Sequence, residues 1–258
     1  MGIRVKERET KILELLAKEK KLEVAALAQV LGVSSVTVRK DLDTLEEKGV
    51  LRREHGYALL KSEDDLSSRL AYHYACKGRI AKRAAALVAD GETVMIESGS
   101  CCALLAEEIC TSRRDVTIVT NSAFIAGFVR QKPHAHVVLL GGVYQNDAQV
   151  MVGPLVAQGA QGFFVNRLFI GTDGYTPRMG FTNSDHLRAQ AVRDMAAQAG
   201  HVAVLTESEK FTRHGVVPLQ LGGAVDLLVT DDGLPEESRL ALGQEGVEIL
   251  TVAREGRL

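Results

Sequence analysis

The sequence has little of what membrane proteins and disulfide-stabilised proteins require. No apolar run approaches the roughly 20 residues that a helix needs to cross a bilayer. Four cysteines in 258 residues are too few to stabilise the chain by disulfide bonds, and none forms a Cys-x-x-Cys pair. Internal repeats and low-complexity tracts are lacking as well. We therefore expect a cytoplasmic protein with free thiols, no membrane partner, no metal site and no cofactor.

The composition is that of an ordinary globular protein, with 46% hydrophobic and 25% charged residues. A length of 258 residues favours one small and one large domain. The formal net charge of −2 does not by itself suggest a nucleic-acid partner. Residues 1–56 nevertheless carry a net charge of +2 and the remainder −4, so the N-terminal part is the more basic.

Residues 1–60 have the periodicity of three helices followed by a hairpin. Apolar residues at helical spacing predict a first helix from residue 5 to 16 and a short second one from 24 to 31, which Gly32 ends. Ser34 or Ser35 caps a third helix, which closes at residues 48–49. Its predicted inward-facing residues are Val36, Val38, Leu42 and Leu45. After it the period changes to two, with a glycine turn at 56, which predicts a hairpin and hence a winged helix-turn-helix.

The rest of the chain alternates between short apolar runs and candidate helices. Residues 61–76 are polar without a strong period and predict a linker. In residues 77–258 the runs rich in β-branched residues are typical of buried parallel strands. They lie at residues 93–96, 116–119, 137–140, 168–170, 202–205 and 227–229, and the candidate helices at 79–89, 101–110, 122–130 and 186–199. The sequence therefore predicts an α/β protein in which an open, mostly parallel sheet follows the winged helix-turn-helix.

The third helix carries side-chain types that suit DNA. The second helix of a helix-turn-helix lies in the major groove, where short hydroxyls approach phosphates and a guanidinium matches guanine or a phosphate. Cations on the wing would meet a flanking phosphate or the minor groove. One serine or arginine here is more often a solvated cap, but the combination favours DNA binding. The predicted DNA-binding residues are Ser34, Ser35, Thr37, Val38, Arg39, Lys40, Arg52, Arg53, His55 and Tyr57.

Loops with glycines or hydroxyls follow four of the predicted strands. Such a loop at the start of a helix offers free N–H groups and a positive dipole to an anion. A glycine in any single loop more often relieves backbone strain, but four loops converging at one sheet edge favour a phosphorylated small molecule. Here Lys210 would neutralise the phosphate and Asp173 would bind a sugar hydroxyl. The predicted effector-binding residues are Ser98, Gly99, Ser100, Cys101, Asn121, Ser122, Gly141, Gly142, Asp173, Gly174 and Lys210.

Two parts of the chain resemble the DeoR family of bacterial transcription regulators. Residues 4–58 are similar to its DNA-binding domain, through VSSVTVRKDL at 33–42 and LRREHG at 51–56. From about residue 77 to 252 the chain resembles the family's effector domain, which shares its fold with ribose-5-phosphate isomerase and glucosamine-6-phosphate deaminase. The matching positions lie at 98–100, 120–122, 140–142, 153–154, 169–174, 180–182 and 210–211.

The resemblance implies a repressor of a carbohydrate operon. Its partners would be double-stranded operator DNA and a phosphorylated sugar or polyol that changes operator affinity. One small winged helix contacts few base pairs and two-fold operators require paired domains, so we expect a homo-oligomer. The chain departs from the family pattern in three segments: Tyr57 replaces a glycine of the wing, Cys101 replaces a hydroxyl residue in the first loop, and Glu209 stands beside the candidate lysine.

Two other functions remain open. Cys101 and Cys102 stand at a predicted helix start, where the dipole lowers a thiol pKa, so a thiol-based redox sensor is one alternative. Glu97 and Asp173 are carboxylates that a sugar-phosphate isomerase-like enzyme would use for proton transfer. The fused DNA-binding domain favours sensing over turnover.

Overall fold

The computed structural model describes residues 4–60 and 66–254, and the chain divides into two compact units between Ala75 and Cys76. The N-terminal unit combines four helices with a small antiparallel sheet of order β1-β3-β2. Its elements are α1 (Val5–Glu19), β1 (Lys21–Glu23), α2 (Val24–Leu31), α3 (Ser35–Glu47), β2 (Arg52–Glu54), β3 (Tyr57–Leu59) and α4 (Leu66–Ala71). The three predicted helices and the hairpin are present, and β1 is an additional strand that pairs with the hairpin.

The turn between α2 and α3 follows from two residues. Gly32 takes the left-handed conformation (φ 65°, ψ 33°), and its N–H donates to the carbonyls of Ala28 and Gln29 at the end of α2. Ser34 caps α3, because its hydroxyl accepts a hydrogen bond from the Thr37 N–H at 3.2 Å. Two consecutive residues with positive φ, at positions 55 and 56, make the hairpin turn of the wing.

The segment predicted as a linker, residues 61–76, contains the helix α4, and the expectation of an irregular linker is wrong for residues 66–71. The reason is a short apolar pattern: Leu66 and Leu70 are four residues apart on one face, and both are fully buried, as is Ala71. Residues 61–65 lie outside the described part of the chain. The next helix, α5 (Tyr74–Ala85), begins just before the division between the units.

The second unit is built on a seven-stranded sheet in the order β15-β14-β12-β9-β4-β5-β6, and every strand pairing in it is parallel. Its elements after α5 are β4 (Thr93–Ile96), α6 (Ser100–Ser112), β5 (Val116–Thr120), α7 (Ala123–Val129), β6 (Ala135–Leu139), β7 (Val143–Gln145), β8 (Val150–Val152), α8 (Pro154–Ala160), β9 (Val165–Ile170), β10 (Gly174–Thr176), β11 (Gly180–Asn183), α9 (His186–Ala196), β12 (Ala199–Leu205), a 3-10 helix (Ser208–Thr212), β13 (Val217–Pro218), β14 (Val225–Asp231), α10 (Glu236–Gln244) and β15 (Glu248–Val252).

All six predicted strands belong to this sheet, and the predicted fold class is confirmed. The seventh strand, β15, was not predicted, and none of its residues is fully buried. Two small antiparallel sheets, β10-β11-β13 and β7-β8, were also not predicted. Within residues 4–60 and 66–254, no helix is long and apolar enough to cross a membrane.

The order of the strands places a switch point between β4 and β9. From β4 the chain moves outward through β5 and β6, and from β9 it moves outward on the other side through β12, β14 and β15. In open parallel sheets, ligands bind at the carboxyl ends of the strands next to such a reversal. The fold therefore indicates a ligand site at the loops after β4 and β9.

Candidate DNA-binding helix and effector site

The outer face of α3 presents a cation pair next to the hydroxyl cap. The Ser34 and Thr37 hydroxyls lie 3.0 Å apart at the start of the helix. Arg39 and Lys40 are exposed, and neither side chain makes a hydrogen bond or ion pair with any described residue. Ser35 is half-buried between them and the cap. The structure thus brings together the predicted residues of α3, with one exception.

The exception is Val38, and its prediction as a DNA-binding residue is wrong. Val38 is 0% exposed and lies on the inner face of α3 with Leu42 and Leu45, since residues four and seven apart share one face of a helix. Val36 was predicted to face inward, but it is 72% exposed. It stands three and four residues before Arg39 and Lys40 and therefore shares their outer face. Val36 was therefore placed on the wrong face, whereas Val38 faces inward as its helical spacing predicted and only its assignment to DNA is wrong.

A partly buried ion pair fixes α3 on α1. Arg8 donates from Nε and Nη2 to the two carboxylate oxygens of Asp41 at 2.7 and 2.8 Å, and the two side chains are 11% and 4% exposed. The hydrogen bond from this guanidinium to the carboxylate raises the pKa of Arg8 above its ordinary value. A bidentate pair constrains orientation as well as distance, so α3 is held at one rotation about its axis.

The wing residues have different roles. Arg53 is tied to α3: its guanidinium pairs with Asp43, and its backbone N–H donates to the Glu46 carboxylate at 2.8 Å. Arg52 is 63% exposed and lies 3.5 Å from a carboxylate oxygen of Glu54. His55 is exposed at the tip of the turn. Tyr57 is partly exposed beneath Lys21, whose Nζ stands 4.5 Å from the ring centroid in a cation–π contact.

In the second unit, the loop after β4 meets the loop after β9. Glu97 is buried, and its Oε2 accepts a hydrogen bond from the Gly171 N–H at 3.3 Å. Gly99 is the N-cap of α6 and packs close to the Cα of Gly171. Ser98 and Ser100, on either side of Gly99, are half-buried. The start of α6, with its unsatisfied N–H groups, therefore lies at the switch point of the sheet.

The two cysteines next to this loop are buried, which disagrees with the predicted roles of Cys101 as an effector ligand and of Cys101 and Cys102 as reactive thiols. Cys101 is 5% exposed and Cys102 is 0% exposed, so Cys101 is a core residue rather than an effector ligand. Burial raises the pKa of both thiols above the ordinary value and outweighs the helix dipole. Burial also raises the pKa of Cys76 to about 12 and of Cys110 to about 11. The expectation of a thiolate at this helix start is wrong.

Two further predicted residues serve the local structure. Ser122 is fully buried and caps α7 by accepting a hydrogen bond from the Ile125 N–H at 3.2 Å. Asn121 is 1% exposed; its Nδ2 donates to the Met151 carbonyl at 3.0 Å, and its own carbonyl accepts from the Met151 N–H at 2.7 Å. These contacts join β8 to the sheet edge, and Ser122 is not available to a ligand.

Among the glycines predicted as effector ligands, two serve the packing of the backbone and one is exposed. A Cβ on Gly142 would stand 2.6 Å from the Val152 carbonyl oxygen, and one on Gly174 would overlap the backbone of Arg213. Both glycines therefore allow close approach of two backbone segments. Gly141 is exposed with open space around its Cα.

Asp173 and Lys210 lie on neighbouring segments. The Asp173 carboxylate accepts hydrogen bonds from the N–H and the hydroxyl of Ser184, at 2.9 and 2.7 Å. The Ser184 hydroxyl in turn accepts from Arg188 Nη2 at 3.0 Å. Lys210 is half-buried on the 3-10 helix, and the close approach of Gly174 to residue 213 brings this helix beside the Asp173 loop.

Sequence reasoning missed three charged residues at this edge. Lys77 and Glu207 form a buried ion pair, with Nζ 3.1 Å from Oε2. Asp231, at the end of β14, accepts hydrogen bonds from the Ser208 N–H and hydroxyl at 2.7 and 2.6 Å. Burial disfavours its charge, but these hydrogen bonds outweigh burial and lower the pKa of Asp231. Glu207 and Asp231 each follow an apolar run after one threonine, a pattern that could have indicated them, whereas no pattern marks Lys77, which lies on a helix.

Several known proteins are similar to the chain over most of its length. HTH-type transcriptional regulator GolR of Listeria innocua serovar 6a is 30% identical over 230 residues, 88% of this chain and 90% of that protein. UlaR of Shigella dysenteriae serotype 1, another HTH-type transcriptional regulator, is 30% identical over 251 residues, 93% of this chain and 96% of that protein. A provisionally named aga operon transcriptional repressor of Escherichia coli O157:H7 is 28% identical over 255 residues, with 95% and 93% covered.

Family models match both units. The DeoR-like helix-turn-helix domain matches residues 8–64, which contain most of α1, all of α2 and α3, and the wing. The DeoR C terminal sensor domain matches residues 72–232, which contain the sheet from β4 to β14. The resemblance carried by the motifs at 33–42 and 51–56 is thereby confirmed. The chain belongs to the DeoR family, and it is a DNA-binding transcription regulator rather than an enzyme.

Proposed function

We propose that this regulator is a cytoplasmic repressor of a carbohydrate operon and that a phosphorylated sugar or polyol controls its operator affinity. The observation that carries the proposal is the juxtaposition of the α6 N-terminus, the Asp173 loop and the Lys210 helix along the carboxyl edge of one parallel sheet. The similarity to a provisionally named operon repressor supports the direction of control.

The DNA-reading surface is the outer face of α3 with the tip of the wing. Arg39 is the residue proposed to read a base edge and Lys40 to hold a phosphate, since both are exposed and free of partners within the described residues. Val36 joins them as an apolar group suited to a thymine methyl. The further contacts are assigned to Ser34, Ser35, Thr37, Arg52, His55 and Tyr57. Arg53 is assigned instead to holding the wing on α3.

The effector site is assigned to the switch point of the sheet. Ser98, Gly99 and Ser100 offer hydroxyl and backbone N–H donors at a helix start, which suits a phosphate. Lys210 supplies a cation and Asp173 an acceptor for a sugar hydroxyl. An effector that binds one arrangement of the protein better than the other shifts operator affinity by its differential binding, typically 1–3 kcal/mol or about 5- to 150-fold.

A thermal-shift screen against phosphorylated and unphosphorylated sugars tests this assignment, because a ligand of the folded state raises its stability by mass action. We expect a rise in Tm with a phosphorylated compound only, and its loss in Lys210→Ala. Lys82→Ala is the matched control, since Lys82 is an exposed lysine of the same unit. A shift that survives Lys210→Ala, or that needs no phosphate, would remove the anion site from this edge.

A further inference from the structure

A buried ion pair in the sensor unit lies outside the residues assigned to the effector. Lys77 Nζ stands 3.1 Å from Glu207 Oε2, and the two side chains are 4% and 5% exposed. Glu207 follows the carboxyl end of β12, on the edge of the sheet that carries the candidate site. Lys77 lies on α5, two residues after Ala75, where the chain enters this unit. The pair thus joins the first helix of the sensor unit to the sheet edge.

Glu207 and Lys210 belong to one short, hydrogen-bonded segment. Glu207 is the N-cap of the 3-10 helix, and its carbonyl accepts a hydrogen bond from the Lys210 N–H at 3.1 Å. The next residue, Ser208, is held on Asp231 by two hydrogen bonds. A displacement of Lys210 is therefore transmitted to Glu207 through a single turn of helix.

The charges around the start of α6 place the pair next to the candidate anion site. Glu207, Lys77 and Lys210 all act electrostatically on the Cys101 thiol in the first turn of this helix. A phosphate at Lys210 would add negative charge close to Glu207, which repels it, and to Lys77, which attracts it. Screening by salt is weak for buried groups, so both effects reach the ion pair.

A buried ion pair of this kind contributes little net stability compared with an apolar pair at the same positions. Removing two charges from water is costly, and an apolar pair of similar volume is often as stable. Buried charges are best attested as devices that select one arrangement over another. We propose that the Lys77–Glu207 pair couples anion binding at the Lys210 segment to α5, and thereby to operator affinity. This inference rests on the proposed function, and both residues act as positioning residues.

The test removes both charges and separates binding from response. The double variant Lys77→Met/Glu207→Leu keeps apolar volume at both positions. Lys132→Met is the matched control, because Lys132 forms a pair of similar length, 3.3 Å, with Glu107 in the same unit. Inorganic phosphate, ribose 5-phosphate and glucose 6-phosphate are the probes. For each protein, Tm and the operator Kd are measured with and without each probe.

We expect the double variant to keep the probe-induced rise in Tm, while addition of the probe changes its operator Kd by less than about twofold. In the wild-type protein and in Lys132→Met, the probe should change the operator Kd by about 5-fold or more, at the low end of ordinary coupling. The single variant Lys77→Arg keeps the cation and should therefore retain the probe-induced change in operator Kd. If the double variant fails to fold, Lys77→Gln/Glu207→Gln also removes both charges and keeps side chains that can hydrogen-bond to each other.

Two outcomes overturn the inference in distinguishable ways. A full operator response in the charge-free variant would refute the coupling and leave the effector site intact. No rise in Tm with any probe in the wild-type protein would refute the proposed effector site, and the coupling would fall with it.

Discussion

Val36 and Val38 are two residues apart on α3 and meet opposite environments. Val38 is fully buried, whereas Val36 is 72% exposed. Their difference is a direct test of which face of α3 supports the fold and which is available to DNA. Because the two side chains are identical, any difference between equivalent substitutions comes from the environment alone.

We expect Val38→Ala to destabilise the N-terminal unit by about 2 kcal/mol, since it removes buried methyl groups worth roughly 0.8 kcal/mol per carbon and leaves a cavity. Val36→Ala should change stability by less than about 0.5 kcal/mol. Urea unfolding followed by far-UV circular dichroism measures both. Equal destabilisation by the two substitutions would contradict the assignment of faces.

Arg39 and Lys40 are adjacent but should differ in what they contribute to DNA binding. We expect Arg39→Ala to lose at least about 1 kcal/mol on the specific operator and to relax specificity. Lys40→Ala should weaken all sequences alike and reduce the slope of log K against log salt by about one. Anisotropy titrations over a salt series measure both. An operator affinity unaffected by Arg39→Ala would rule out α3 as the reader.

How far single residues can be predicted depends on whether their partners are near in sequence. A serine cap at position 34 or 35 and Gly32 as a helix stop follow from local geometry, and both predictions are confirmed, with Ser34 as the cap. Val38 was assigned both to the inner face and to DNA contact, and only the first follows from its spacing to Leu42 and Leu45 and agrees with the structure. Lys77 was missed because its partner is 130 residues away in the chain and no local pattern connects them.

At the scale of elements, the strands of the parallel sheet were largely predictable and the short antiparallel strands were not. The five inner strands are runs of apolar residues because both of their faces are covered. Of the two edge strands, β6 was predicted from its own apolar run and β15 was not. The strands of the β7-β8 hairpin have only three residues each, which is too short for a recognisable period. Loops at the carboxyl edge were predicted as a ligand site, but the structure assigns Ser122, Gly142 and Gly174 to packing.

The link between β14 and the 3-10 helix gives the sensor unit a pH dependence. The pKa of Asp231 is lowered in the folded protein, below its ordinary 3.8, by hydrogen bonds from Ser208 that outweigh its burial. Its contribution to stability is therefore complete above the unfolded pKa and is lost as the pH falls through the folded pKa.

We accordingly expect Tm to fall more steeply in the wild-type protein than in Asp231→Asn between about pH 5 and pH 3. Calorimetric scans at a series of pH values measure the difference between the two slopes. Asp147→Asn is a control for the change of charge alone, since Asp147 is exposed and its side chain makes no hydrogen bond or ion pair with any described residue. Parallel slopes for wild type and Asp231→Asn would contradict the role assigned to Ser208.

For the whole molecule, charge and function are divided between the two units. Residues 1–56 carry a net charge of +2 and the remainder −4, so the electrostatic attraction to DNA comes from the winged helix-turn-helix while the larger part opposes it. A single winged helix with one short reading helix then has few contacts with which to reach operator affinity. Two copies acting on one DNA molecule overcome this shortage, because their binding energies combine.

The expected operator is therefore a two-fold repeat of half-sites, with centres separated by one DNA turn, about 10–10.5 base pairs, or a multiple of it. Footprinting should show two protected half-sites, and light scattering should show a homo-oligomer before DNA is added. Inserting about five base pairs, half a turn, between the half-sites should reduce affinity sharply, and inserting ten should restore much of it, since the second insertion returns both reading helices to one side of the DNA. A monomer in solution that binds an isolated half-site as tightly as the full operator would exclude pairing as the source of affinity.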